Sequence, residues 1–128
     1  MQTEFGLSQI GQIAIPVSDL ERSVAFYRDV LGMKFLFQFP GLAFFDNGGV
    51  RLLLEAPQET ETTPRRSSII YYRVADIKSA HNILKERGVE FFGDPHIVIK
   101  MSEQDLWMAF FNDPDENILA VMSEVSHA

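Results

Sequence analysis

Few residues in this sequence combine reactive chemistry with an apolar setting. Glu55 closes the run Val50-Arg51-Leu52-Leu53-Leu54-Glu55, and a carboxylate beside aliphatic neighbours is the kind of group that takes a proton as a general base. His96 follows Asp94-Pro95 in an aromatic, apolar stretch. An imidazole there suits acid or base work near neutral pH, and the plainer assignment is a rim histidine bonded to backbone. Arg51 and Arg73 lie inside strand-like runs, where a guanidinium can anchor a carboxylate or carbonyl. The plainer alternative pairs Glu55 with Arg51 or Arg73 in an ion pair. Trp107, Met108, Phe110 and Phe111 form a dense apolar segment. Alternate residues of a strand face opposite ways, so only half of these can line a pocket and the rest are core. The chain has 11 Phe, more than a core this small needs, and the surplus favours an apolar, ligand-binding cup.

Other chemistries lack their parts. With no cysteine there is no disulfide scaffold, thiolate metal site or cysteine nucleophile. No Gly-rich phosphate loop, G-x-S-x-G elbow or H-E-x-x-H pair occurs. Asp113-Pro114-Asp115-Glu116-Asn117 is acidic, but it lacks the alternating ligands of a calcium loop and reads as a hairpin turn. His81 falls on a helix flank and His127 in the tail, where disorder is expected.

The elements that must position these residues follow from periodicity. Residues 9–17 alternate as a strand. Asp19 is a good N-cap, and Leu20, Val24, Tyr27 and Leu31 mark one face of a helix closed by Gly32. Strands are expected over residues 33–39, 41–46 and 50–55. Pro40-Gly41 and Asn47-Gly48-Gly49 supply the turns. After a polar connector the order returns: a strand over 67–74, a helix capped by Asp76 and ended by Gly88, then strands over 89–100, 106–112 and 117–123. The letters repeat too. Val17-Ser18-Asp19-Leu20 matches Val74-Ala75-Asp76-Ile77, and Phe44-Phe45-Asp46 matches Phe110-Phe111-Asn112. The 128 residues therefore read as a single α+β domain of two βαβββ modules, about 8–56 and 68–124, joined by a loop over 57–67.

The stretch IAIPVSDLERSVAFYRDVLGMKF and the closing FFNDPDENILAVMSEV resemble the vicinal oxygen chelate superfamily, which includes glyoxalase I, bleomycin-resistance proteins and extradiol dioxygenases. The resemblance spans roughly residues 8–124. It implies that the modules form a half-open mixed-sheet barrel around a shared pocket. Gln12, Arg51, Tyr71, Arg73 and Trp107 are then candidate ligand-binding residues, and Glu55 and His96 candidate catalytic ones. In the metal enzymes of the family, ligands project from the first and last strands of each module. Those positions fall here on Gln12, Glu55, Ile69 and Ala120. Gln12 and Glu55 can bind a cation; Ile69 and Ala120 cannot, so no family-type metal site and no cofactor is expected.

Three functions stay open at this level. The first is a metal-independent binder of a small apolar or carbonyl-bearing molecule, similar to bleomycin-resistance proteins. The second is a lyase or isomerase that moves a proton beside a carbonyl through Glu55 or His96, with a metal-dependent variant using Gln12, Glu55 and His96. The third is a domain whose cup is filled by its own side chains. A net charge of −7 argues against nucleic acid. No apolar run is long enough to span a membrane, and the first residues do not read as a signal peptide. A cytoplasmic location and a homodimer covering the sheet edges are expected.

Overall fold

The computed structural model describes residues 5–57 and 68–127. Its first module runs β1 (Gln12–Pro16), α1 (Leu20–Ala25), β2 (Lys34–Phe39), β3 (Leu42–Asn47) and β4 (Val50–Glu55). The second runs β5 (Ile70–Arg73), α2 (Ile77–Glu86), β6 (His96–Lys100), β7 (Gln104–Asn112) and β8 (Ile118–Ser126). The orders β1-β4-β3-β2 and β5-β8-β7-β6 are the same permutation. In each sheet the first and last strands of the module pair in parallel and the other pairs are antiparallel. The fold is α+β, with two four-stranded mixed sheets that do not close on each other, a half-open barrel. The connector falls outside the described residues from position 58.

Both helices begin as the sequence dictates. The Asp19 carboxylate accepts from the Arg22 amide and the Asp76 carboxylate from the Ser79 amide, each at 3.1 Å. Each such cap contributes about 1 kcal/mol. Gly32 (φ 75°) and Gly88 (φ 97°) sit just beyond the helical segments in the left-handed region that glycine enters without strain. The first helix departs from expectation after Ala25, where it widens into a π-helical turn, Phe26–Val30, with the Leu31 amide donating to the Phe26 carbonyl at 3.0 Å. The expected strand over 89–100 is also shorter: the strand itself covers His96–Lys100. Before it, Phe91 makes a single bridge to Phe111, and Gly93-Asp94-Pro95 interrupts the ladder, since proline has no amide to donate.

One face of each sheet packs inward. Ile15, Ala43, Phe45, Leu52 and Leu54 from the first sheet join Val24 and Tyr27. Ala109, Phe111, Leu119 and Val121 from the second join Ile77 and Leu84 in the same continuous core. His81 belongs to this interior rather than to a helix flank: it is buried, with its ring 4.3 Å from that of Phe91.

A polar clasp crosses the junction between modules. The Tyr27 hydroxyl donates to Asp113 Oδ2 at 2.8 Å. Asp113 Oδ1 accepts the Asp115 and Asn117 amides at 2.8 and 2.9 Å, and Asn117 Nδ2 reaches both Asp113 Oδ2 and the Pro16 carbonyl. Asp115 takes the Ser18 hydroxyl and the Arg22 guanidinium from the other module. The buried Asp113 carboxylate is thus saturated with donors, the condition for burying charge without a large penalty. At the end of α2, Arg87 Nη1 donates to the Val30 carbonyl at 2.9 Å. The tail is also held, since His127 Nε2 lies 2.9 Å from Asp105 Oδ1.

Candidate functional site

Strand register decides which candidate residues share a face, because directly paired residues point the same way. In the first sheet Gln12 pairs with Arg51, Pro16 with Glu55, Leu53 with Phe44, and Phe44 with Phe37. These residues occupy the face opposite the packed core. In the second sheet Tyr71 pairs with Ala120, Ala120 with Phe110, and Met108 with both Met122 and His96. They form the corresponding open face, which Arg73 shares with Tyr71 by alternation. Both open faces expose large apolar side chains, including Phe37 (41%), Phe39 (55%), Ile69 (40%) and Tyr71 (43%).

Trp107 is not among them. It pairs with Ser123 and Ile97 and belongs to the opposite, helix-facing side, where the Lys78 ammonium lies 5.3 Å from its ring. Its place is core support with a cation–π contact, and Phe110, three residues on, takes a position on the open face. Phe110 also meets Tyr71 edge-on at 6.0 Å. Ala120, which pairs with both, is fully buried.

The charged candidates find different partners from those expected. Arg73 Nη2 lies 3.5 Å from Glu124 Oε1, a pair missed because Glu124 lies in the last strand beyond the expected boundary at 123. Arg51 stacks instead: its guanidinium carbon stands 5.6 Å from the Phe44 ring centre and 6.0 Å from that of Phe37. Phe37 and Phe44 are 4.9 Å apart, and Phe39 closes the group at 5.6 and 6.2 Å. Half-buried Glu55 stands beside Leu42 and Pro16. His96 is exposed, with Nδ1 3.0 Å from the Asp94 carbonyl oxygen. A carbonyl only accepts, so Nδ1–H is the donor in that contact.

The metal positions can be set by the internal repeat. Val17 corresponds to Val74, so Gln12 corresponds to Ile69 and Ala14 to Tyr71. Ala14 pairs with Leu53 and Tyr71 with Ala120. Leu53, rather than Glu55, is therefore the first-module counterpart of Ala120, and Glu55 lies one pleat further along. Of the equivalent positions Gln12, Leu53, Ile69 and Ala120, only Gln12 carries a donor atom. Such a set does not fit a hard or borderline divalent ion, which needs several oxygen or imidazole ligands. Among the described residues no three His, Asp or Glu side chains group so as to hold a metal.

Several crevices are lined by described residues, three of them as follows. One, about 440 Å³, runs between the modules past Leu31, Lys34, Tyr72, Ile83 and Arg87. A second, about 300 Å³, lies between Ile13 and Leu52 of one sheet and Ile70 and Tyr72 of the other. A third, about 340 Å³, flanks Phe91 and Asp113. None of the three brings the open face of one sheet against the open face of the other. The Tyr72 hydroxyl is buried at this junction without a partner among the described residues. Burial, with the Asp113 carboxylate adding to it, pushes the phenols of both Tyr27 and Tyr72 well above the ordinary tyrosine range. No helix among the described residues is long and apolar enough to cross a membrane.

Comparison with known proteins agrees with this geometry. An uncharacterized protein of Bacillus subtilis, YraH, is 28% identical over 123 residues, covering 86% of this chain and 94% of the relative. The metallothiol transferase FosB of Lysinibacillus sphaericus is 30% identical over 117 residues, covering 85% of this chain and 77% of that protein. Among solved structures, a glyoxalase/bleomycin resistance protein/dioxygenase from Nocardioides superposes with a TM-score of 0.75 at 23% identity, covering 98% of this chain and 89% of its own. A lactoylglutathione lyase from Agrobacterium tumefaciens gives 0.74 at 23% identity, covering 92% and 95%. The sequence pattern of the Glyoxalase/Bleomycin resistance protein/Dioxygenase superfamily matches residues 9–121, and the chain belongs to that superfamily.

Proposed function

We propose that this protein binds a small apolar or carbonyl-bearing molecule against the open faces of its sheets, without a family-type metal, and that a second copy completes the cup. One observation carries the reading. Leu53, Ile69 and Ala120 stand where donors would be needed, while Phe37, Phe39, Phe44 and Tyr71 are gathered on the same faces. Apolar walls with a few polar groups are the usual lining of small-molecule sites. The homodimer follows from the open faces: apolar side chains this exposed on both sheets are the kind of surface that association covers.

A second reading is a lyase or isomerase that moves a proton beside a carbonyl. The exposed His96 imidazole, held through Nδ1 alone, and the position of Glu55 on an open face favour it, as does the likeness to a lyase and to a thiol transferase. Glu55 and His96 stand on different sheets, so within this reading each acts alone as the base unless a partner subunit brings them together.

The test combines light scattering with titration of small aromatic and carbonyl compounds, followed by methyl resonances of Ile69, Met108 and Met122. The expected result is a mass twice 14.6 kDa, with shift changes confined to the open faces. A monomer, or changes confined to the crevice around Leu31 and Ile83, overturns the proposal. Turnover of a compound that Glu55→Gln or His96→Asn abolishes replaces the binder with the enzyme.

A further inference from the structure

Arg51 lies on the first open face and makes no ion pair or hydrogen bond through its side chain among the described residues; unlike Lys34, which shares the face through Asp46, it rests on aromatic rings, those of Phe37 and Phe44. Asp46 pairs directly across from it on β3, yet the Asp46 carboxylate turns back to accept the Gly49 amide at 3.2 Å. Glu55 is four residues along the same strand, about 13 Å at the rise of a β-strand, too far to satisfy the guanidinium. A guanidinium resting on aromatic faces is weakly hydrated and keeps its flat fork of donors available for a two-point contact. In a chain of net charge −7, an unpaired cation on an apolar face marks where the general repulsion of anions is reversed locally.

We infer that the ligand of this cup is a planar anion, an aromatic or conjugated carboxylate, with Arg51 as its anchor and Phe37, Phe39 and Phe44 as the platform for its flat body. The inference rests on the proposal that the open faces bind a small molecule, and it narrows that proposal to a charge and a shape. The carboxylate meets the guanidinium through two parallel N–H···O contacts. The conjugated plane lies against the group formed by half-buried Phe44, tilted 38° to Phe37, and the exposed rings of Phe37 and Phe39. Specificity against a neutral amide of the same shape comes from the charge-assisted pair, because an amide offers Arg51 only one acceptor oxygen.

Two probes of equal size separate these elements: 2-naphthoate and 2-naphthamide, titrated into the intact protein and followed by amide and methyl resonances of both open faces. The wild type is expected to bind the carboxylate about tenfold more tightly than the amide, with a preference that shrinks as salt rises. Arg51→Gln removes the preference, weakening the carboxylate about tenfold more than the amide, which loses only a single contact. Arg51→Lys, which keeps the charge on a compatible strand position, retains part of it. Phe44→Leu weakens both probes alike. Equal affinity for the two probes in the wild type, with open-face resonances still responding, overturns the planar-anion assignment and leaves small-molecule binding standing. Resonances of Phe37 and Phe39 that respond only to protein concentration also overturn it, assigning the aromatic group to contact between copies. Open faces that respond to neither probe nor to any other small molecule overturn both proposals.

Discussion

The Tyr27 hydroxyl donates to the Asp113 carboxylate at 2.8 Å across 86 residues of sequence, joining the π-helical turn of the first module to the final hairpin of the second. Neither residue meets solvent to any extent. The contact is therefore a buried, charge-assisted bond rather than a surface ion pair of small worth. Replacing Tyr27 with Phe keeps the ring in the core and deletes the donor. We expect a loss of about 2 kcal/mol in urea unfolding with an unchanged slope. A loss below about 0.5 kcal/mol would show that the other donors to Asp113 suffice.

Alkali should act on the same junction. Burial, and then the Asp113 carboxylate, raises the phenols of Tyr27 and Tyr72 in the folded state. In the unfolded chain both ionise near 10. The folded protein then holds two protons that the unfolded chain releases, so this stabilisation is complete below about pH 10 and declines as pH rises further. The expected slope is about 1.4 kcal/mol per pH unit for each phenol. Unfolding with phenolate absorbance as readout checks it: two of the three tyrosines should ionise only as the chain unfolds. Ionisation of all three before loss of structure would contradict the assignment.

The missing ligands can be put back. Ile69→His together with Ala120→Glu would add two donors on the open face of the second sheet, on strands whose register already brings Tyr71 and Ala120 side by side; Gln12 joins them where a second copy sets the two open faces together. The wild type is expected to retain less than about a tenth of an equivalent of any divalent transition metal, and the double variant to take up zinc or nickel. Ala120 is fully buried, so the second change displaces the Tyr71 and Phe110 rings. Ile69→His alone, which with Gln12 gives only two donors, serves as a control expected to bind weakly. A wild type that carries a stoichiometric ion through purification would refute the donor argument at once.

Much of this architecture was legible in the sequence because it is locally encoded. Asp19 and Asp76 cap helices through contacts three residues away, Gly32 and Gly88 supply backbone that other residues resist, and the two modules repeat their letters. What escaped depends on pairing between distant segments. Nothing in the run from Leu106 to Phe111 says which alternate set faces inward until β7 is registered against β8, and so Trp107 was assigned to the wrong side. The metal position on β4 slipped by one pleat, from Leu53 to Glu55, for the same reason. Glu124 was missed as the partner of Arg73 because the final strand runs further than its apolar pattern. The π-helical turn left no mark in the apolar spacing of Leu20, Val24, Tyr27 and Leu31.

The clasp at Asp113 also imposes an order on biosynthesis. Tyr27 leaves the ribosome 86 residues ahead of the carboxylate that accepts its hydroxyl, a delay on the order of ten seconds at ordinary elongation rates. Through that interval the nascent first half carries an unsatisfied phenol and an uncovered core face. It completes its packing only when the closing hairpin emerges, which makes truncated chains ending before Asp113 natural clients for chaperones and proteases.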